Sequence, residues 1–497
     1  MESKDININL YGIFLIKKYL EVNEKNDEAL NLLVGQLNSE YILLLISLFN
    51  KNNKKLNYNL LYILINVGYF QKGEELFISD ENILLNIATF LGKNKNDSKL
   101  LINGIWLLRN ITCNKNICQI LINYKIIDFF EEIYERNLIN EEFMRALINC
   151  ICNIINYKLL LKEQKQNNDP SCLLPSIKII RTQLRLTLPS KLLYKCVNIL
   201  FNLMLFNSID VLYAMIDNKI HKELMALYRQ IIDKIEEIKN KINEYEANKK
   251  NNNINKSQIE QIEGYKNDLT YYNFIILLIL KILGKLMSLE DNILTQNLLD
   301  SGISQFLNFV LQSHDPKVIK NAFFCLSNIC SGTYGQLAYL YDNNTFIEAI
   351  KVAKYIYEAL DFNSKSKNEY YGTLVDVFRE INYVFSLAIN NSIKEKFIPL
   401  ARYDNYSIVV ILSKGLDILS DKNIEHLNDY ILAALYKLIL FDKDDFINSN
   451  DNDKYIRFSE VMEKNGLKEC LEKIIANEKN HQDIIKNVEL IYDSLFK

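Results

Sequence analysis

Apolar residues recur at helical spacing in segments of about 10 to 15 residues, each closed by a short polar turn, and the plan returns every 40 to 50 residues or so. No unit of that size can bury its apolar stripes alone, whereas stacked units can. Two counts push the same way. Only 14 Gly and 5 Pro punctuate 497 residues, which suits long helices with short loops and leaves little turn chemistry for a β-rich chain. Hydrophobic residues make up 49%, enough for an extensive core, so wholesale disorder is excluded.

The clearest unit runs from Ile303 to Leu340. Phe306, Leu307 and Val310 predict a helix over Ile303 to Leu311. Asp315 and Pro316 follow as cap and first helical position, then a helix over Val318 to Cys330 that ends at Ser331-Gly332-Thr333. Similar units start at Ile42, Asp97, Glu141, Ser190, Glu369 and Glu425. This spacing lies in the range of armadillo and HEAT repeats, so the expected fold is an all-α, armadillo-like, right-handed superhelical solenoid.

One stretch breaks the pattern. Residues 229–268 carry eight basic and eight acidic residues. Ile231, Ile235, Ile238 and Ile242 predict a helix there, followed by an Asn-Lys run over Lys249 to Ser257. The expected organisation is therefore N-terminal repeats over 1–228, a charged insertion over 229–268 and C-terminal repeats over 269–497. Smaller polar loops are expected at Glu163 to Asp169, Asn363 to Asn368 and Asp442 to Lys454.

Several function classes drop out. A formal charge of −3 disfavours a nucleic-acid-coating protein. The nine cysteines form no C-x-x-C pair, and the odd count favours reduced, buried thiols. Four dispersed histidines, no H-E-x-x-H, no Gly-rich phosphate loop and no G-x-S-x-G leave no metal, cofactor or catalytic site to propose. Acid pairs such as Glu74-Glu75 and Glu141-Glu142 read as solvated helix edges. The most apolar run, Tyr272 to Met287, contains Lys281 and Lys285 and falls short of a membrane span. Neither a nucleic acid nor a membrane is expected as partner, and the cytoplasm and nucleus are the expected compartments.

A recurring aromatic-x-x-x-Asn pair carries more information. It is Tyr62 and Asn66, Trp106 and Asn110, then Phe324 and Asn328. Asn149 and Asn153 occupy the same places in another unit, and Asn198 and Asn202 in the next, although Val197 and Phe201 fit one residue earlier. Residues four apart share a helix face, so stacked units align these pairs into a ladder. A flat ring can pack the stem of a Lys or Arg, and the Asn offers a donor and an acceptor to a peptide backbone. The ladder thus suits an extended, Lys/Arg-rich peptide. The alternative is that each Asn ties neighbouring helices and each ring is core.

At these residues the chain resembles importin alpha, the armadillo-repeat adaptor for nuclear-localisation-signal cargo. The resemblance is carried by Lys320 to Gln336, with Phe324, Ser327-Asn328 and Ser331-Gly332, and by Gly104 to Ile111 around Trp106. The unit from Phe458 to Phe496 resembles that family's last repeat. The resemblance implies a larger cargo site on Tyr62, Asn66, Trp106, Asn110, Asn149 and Asn153, continued by Asn198 and Asn202. It implies a smaller one on Phe324 and Asn328 with Glu380 and Tyr383, where Glu380 would receive a cargo lysine. The sequence departs from the family at Asn149 and Leu387, where an aromatic and an Asn are lost, and at Lys281 and Lys285, or Leu280 and Gly284 one residue earlier, which replace a pair. Met1 to Leu10 carries one lysine, so importin beta is not an expected partner.

Overall fold

In the computed structural model, the described residues are 6–49, 53–135, 140–165, 169–249, 256–288, 291–363, 369–419, 425–448, 456–476 and 482–496. Residues 364–368 and 449–454 of the expected loops, 166–168 of the one at 163–169, 250–255 of the Asn-Lys run and Met1 to Asp5 lie outside them; the rest corrects the expectation, because Asn363 and Asp442 to Asn448, read as loop for their polar character, continue the helices before them. The regular secondary structure of the described residues is all helical, in an all-α, armadillo/HEAT-like repeat solenoid with two compact units, Met1–Ile275 and Ile276–Lys497.

The repeat is a helix triplet. In the first unit a leading helix, α1 (Ile6–Val22), precedes α2 (Asp27–Gly35), α3 (Ser39–Ser47) and α4 (Lys54–Val67). The next triplets are α5 (Gln71–Ile78), α6 (Glu81–Lys93) and α7 (Ser98–Ile111), then α8 (Lys115–Asn123), α9 (Ile126–Tyr134) and α10 (Glu141–Glu163). In the fourth, a 3-10 turn (Ser171–Leu173) stands in for the first helix before α11 (Pro175–Arg181) and α12 (Ser190–Met204). The fifth comprises α13 (Ile209–Asp217), α14 (Ile220–Lys249) and α15 (Lys256–Leu286), the last contributing to both units. The third helices α1, α4, α7, α10 and α12 pack successively side by side, and the shorter helices pack on one another in the same order.

The second unit continues with α16 (Asn292–Asp300), α17 (Ile303–Val310) and α18 (Pro316–Cys330), then α19 (Tyr334–Asp342), α20 (Thr345–Asn363) and α21 (Glu369–Asn390). α22 (Lys394–Leu419) precedes α23 (Glu425–Asn448), and the last triplet is α24 (Phe458–Lys464), α25 (Leu467–Ala476) and α26 (Gln482–Phe496). Here α18, α21, α23 and α26 form the row of third helices. α22 is two helices in one: Tyr403 is extended, and Asp404, Asn405 and Tyr406 adopt left-handed backbone with φ of 49°, 56° and 63°. Asp404 accepts from Ser407 and pairs with Lys354 at 2.8 Å, which holds the break.

Local chemistry explains these boundaries. The abundant Asn acts as helix cap: the side chains of Asn26, Asn38, Asn53 and Asn140 accept from backbone N–H groups three residues on, at 3.1, 3.1, 3.0 and 2.8 Å. Asp97 caps α7 and also takes the Tyr58 hydroxyl at 3.1 Å and Lys54 at 2.9 Å, tying one repeat to the next. Asp315 caps α18 with Pro316 at its start, as the sequence predicts, and Thr333 with Gln336 forms a capping box on α19. Phe77, Phe130, Phe143, Phe306, Phe323, Phe378 and Phe385 are fully buried between the rows.

The described parts of the charged stretch, 229–249 and 256–268, build the ends of two long helices. Ile231, Ile235 and Ile238 are buried, and the Lys241 ammonium lies 5.5 Å from the Tyr265 ring centroid on α15. One length expectation is corrected. The apolar run at Tyr272 to Met287 is the end of a 31-residue helix, because polar residues from Lys256 onward continue the same helix. Ser257–Leu286 and Glu141–Glu163 both reach the length and mean hydropathy of a membrane-crossing helix, but half of each apolar window is buried inside the protein.

Candidate peptide-binding surfaces

On the first unit, the ladder residues share the row α4, α7, α10 and α12. Each Asn bond shows what the row does with them. Asn110, buried on α7, donates from Nδ2 to the Ile65 carbonyl of α4 at 3.1 Å. Asn153 on α10 donates to Thr112 Oγ1 at 3.1 Å and reaches the Arg109 carbonyl of α7 at 3.5 Å. Both therefore tie neighbouring third helices. Asn66 and Asn149 instead bond within their own helices, to the carbonyls of Tyr62 at 2.8 Å and Arg145 at 2.7 Å.

The rings of this row are half-buried, and cations of the chain itself stand over two of them. Lys17 of α1 lies 5.8 Å from the Tyr62 ring centroid. Arg109 lies 5.3 Å from the Trp106 ring and donates to Asn110 Oδ1 at 2.9 Å. The Trp106 indole N–H donates to Glu142 at 3.1 Å, which fixes the ring plane. Where the aromatic is missing, the Lys195 ammonium of α12 donates to Asn149 Oδ1.

The register on α12 differs from one expectation. Asn110 and Asn153 each reach the carbonyl one residue before the preceding ladder position, Ile65 before Asn66 and Arg109 before Asn110. Asn202 instead donates to the side chain of Asn156 at 3.0 Å, about one turn beyond Asn153. Counting the same three residues back from Asn202 reaches Ile199, which is fully buried; its half-buried neighbour Asn198, with Tyr194 one turn before it, is the adjacent surface position. The sequence reading missed this pair because it aligned Asn198 with Asn149; the spacing Tyr194-x-x-x-Asn198 was the available signal. Val197 is fully buried, which removes the alternative that used it.

On the second unit, the four expected residues come together. Phe324, Asn328, Glu380 and Tyr383 line one recess of about 520 Å³, with Ser327, Arg379, Leu427 and Tyr430. α18 supplies Phe324 and Asn328, α21 supplies Arg379, Glu380 and Tyr383, and α23 supplies Leu427 and Tyr430. Asn328 donates to the Gly284 carbonyl at 3.0 Å, repeating the tie seen in the first unit. A Cβ on Gly284 would stand 2.6 Å from the Phe324 ring, so the glycine leaves room for that ring beside α15. The same bond places Lys285 and Lys281 in the ladder positions of α15, with Leu280 and Gly284 turned to the interior.

Tyr383 and Tyr430 meet edge to face at 5.2 Å between centroids and 80° between planes. Sequence reasoning missed Tyr430, although its distance of 47 residues from Tyr383 falls in the repeat range. It also missed Arg379, which stands 3.7 Å from Glu380. The Glu380 side chain is only 19% exposed. Burial pushes its carboxyl above the usual range and Asp376 adds to this, while Arg379 and Lys320 pull it back. Lys320 pairs with Asp376 at 3.1 Å. The floor of the recess is thus a desolvated carboxylate between aromatic walls, only partly neutralised by its neighbour.

Among the described residues, no group of three or more His, Cys, Asp or Glu side chains is arranged to hold a metal ion. All nine cysteines are free thiols. Burial pushes Cys118, Cys325 and Cys470 up to about 12, far from thiolate reactivity at neutral pH.

No protein-family model and no curated protein matches this chain. Solved structures do. A crystal structure of an engineered protein is similar over 100% of this chain and 97% of its own, at 12% identity and a TM-score of 0.58. A chain from a structure concerned with a phosphorylation switch in the interaction between cadherin and beta-catenin is similar over 99% of this chain and 81% of its own, at 12% identity and a TM-score of 0.60. A designed armadillo repeat protein in complex with the peptide (KR)4 covers 64% of this chain and 99% of its own, at 15% identity and a TM-score of 0.40. The two longer likenesses and the helix triplets agree on an armadillo/HEAT-like repeat fold for this chain.

Proposed function

We propose that this chain is a peptide-binding adaptor whose recess on α18, α21 and α23 takes a Lys or Arg side chain from an extended basic segment. The observation that carries this reading is Glu380, a half-buried carboxylate between Phe324, Tyr383 and Tyr430. The rings would pack the methylene stem of the cation and the carboxylate would meet its charge. The resemblance to importin alpha at Lys320 to Gln336 supports nuclear-localisation signals as the ligand class. It likewise supports a role in carrying cargo between cytoplasm and nucleus. No cofactor enters this reading.

A second reading is an armadillo scaffold outside transport, serving another protein partner. Arg109 over Trp106 and Lys195 on Asn149 favour it, because these cations stand where the larger basic-cargo site is expected. The test is a fluorescence-polarisation titration of the full chain with a labelled lysine-rich localisation peptide and its charge-scrambled control. Selective binding that Tyr383→Ala weakens supports the recess. Equal binding of both peptides, or none, refutes it.

A further inference from the structure

The first unit presents a surface of opposite character to the recess. Three cations project from one row of helices. Arg109 on α7 is half-buried, with its guanidinium over Trp106 and on the neutral amide of Asn110. Lys195 on α12 is half-buried, with its ammonium on the neutral amide of Asn149. Lys191, one turn before Lys195, is exposed. Among the described residues, none of the three forms an ion pair with a carboxylate. Carboxylates on neighbouring helices are engaged elsewhere: Glu142 by the Trp106 indole at 3.1 Å, Glu141 by Arg145 at 3.0 Å, and Asp268 by Ser190 at 2.6 Å. The charges are also close enough to act on one another: burial lowers the Lys195 pKa, Cys152 partly offsets this, and Lys191 and Arg109 lower it further.

Aromatic surface flanks these cations. Tyr194 lies 5.8 Å from Tyr271 and 6.1 Å from Phe274, centroid to centroid, and Phe274 is 52% exposed. A half-buried cation beside amide dipoles and rings, as Arg109 and Lys195 are, gains most from an anion that arrives with apolar neighbours. Asn153 and Asn198, on the same face, can bond the peptide units between such side chains.

We propose that the face of the first unit built by α7, α10 and α12, with the Phe274 edge of α15, binds an extended acidic peptide segment of a partner protein. Its carboxylates would meet Arg109, Lys191 and Lys195, and its apolar side chains would rest on Trp106, Tyr194 and Phe274. Nucleic acid is the less favoured anion. The cations are three rather than a tract, and the polar groups between them are asparagine amides suited to a peptide backbone. This site is separate from the Glu380 recess, so either can fail without the other.

The experiment is a polarisation titration of the full chain at about 0.15 M salt, where exposed charges are substantially screened. The probes are a labelled twelve-residue peptide of repeating Glu-Leu-Asp, its Gln-Leu-Asn counterpart and a twelve-nucleotide oligouridine. The expected result is preferential binding of the acidic peptide, weakened about tenfold in the K191Q/K195Q protein and unchanged in E380Q. Circular dichroism of the double variant checks that it is folded, and Trp106 emission provides a second readout at the site. Equal affinity for the acidic and amide peptides overturns the proposal, as does acidic-peptide binding that the folded double variant leaves intact. Tighter, variant-sensitive binding of oligouridine also overturns it, in favour of a nucleic-acid surface.

Discussion

Replacing Glu380 by Gln should separate binding from stability, because the two respond with opposite sign. The side chain is 19% exposed and Arg379 stands 3.7 Å away, so the carboxylate is desolvated and incompletely paired. A ligand ammonium arriving there would make a charge-assisted contact, worth about 1.5–3 kcal/mol in comparable settings. Arg379 already satisfies part of the charge, so the loss on substitution should sit near the low end, about 1–2 kcal/mol or roughly five- to thirtyfold in affinity. The folded protein meanwhile gains. Because burial raises the Glu380 pKa, the folded state holds its proton to higher pH than the unfolded chain does. The stabilisation is complete below the unfolded pKa and is lost as pH rises through the folded value, so at neutral pH the charge is a net cost that Gln removes. The assays are a peptide titration and a urea melt of the same samples. Affinity for the lysine-rich peptide should also fall as pH is lowered through the raised pKa, and Gln should abolish that dependence. Unchanged affinity, or affinity and stability falling together, would refute the reasoning.

Two further outcomes follow from buried polar groups. Asn110→Ala removes the donor to the Ile65 carbonyl and should destabilise the first unit by about 1–2 kcal/mol, read by urea unfolding on Trp106 fluorescence. His221 is 3% exposed, and burial, with Lys222, depresses its pKa to about 4. The unfolded chain therefore takes up more protons below about pH 6.5, so stability should fall on acidification from there toward pH 4, by about 2–3 kcal/mol. His221→Gln should flatten that part of a pH series of melts.

The helices were legible because their determinants are local. Asp315 and Pro316 predict the start of α18, and the apolar spacing of Phe306, Leu307 and Val310 marks α17. The recess was legible to the extent that its residues recur at repeat spacing: Phe324, Asn328, Glu380 and Tyr383 all line it. What local pattern does not encode is side-chain direction across the gap between helices. Arg109 reads as a polar residue beside the Trp106 and Asn110 pair, and only the packed structure lays its guanidinium on that ring. The α12 register failed for a related reason. Asn198 and Asn202 lie one turn apart on the same face, so periodicity alone could not choose between them; the bond from Asn202 to Asn156 could.

The bonds from Asn110 to Ile65 and from Asn328 to Gly284 have a metrical consequence. They lock successive third helices at a fixed pitch, about 8–10 Å for packed helices. An extended chain advances about 3.3 Å per residue, so consecutive rungs meet ligand residues two to three apart. A ligand read in this way is recognised by the beat of its charged and apolar residues rather than by their identity. Inserting a single residue into it would throw every later contact out of phase, while many conservative replacements in place would pass unnoticed.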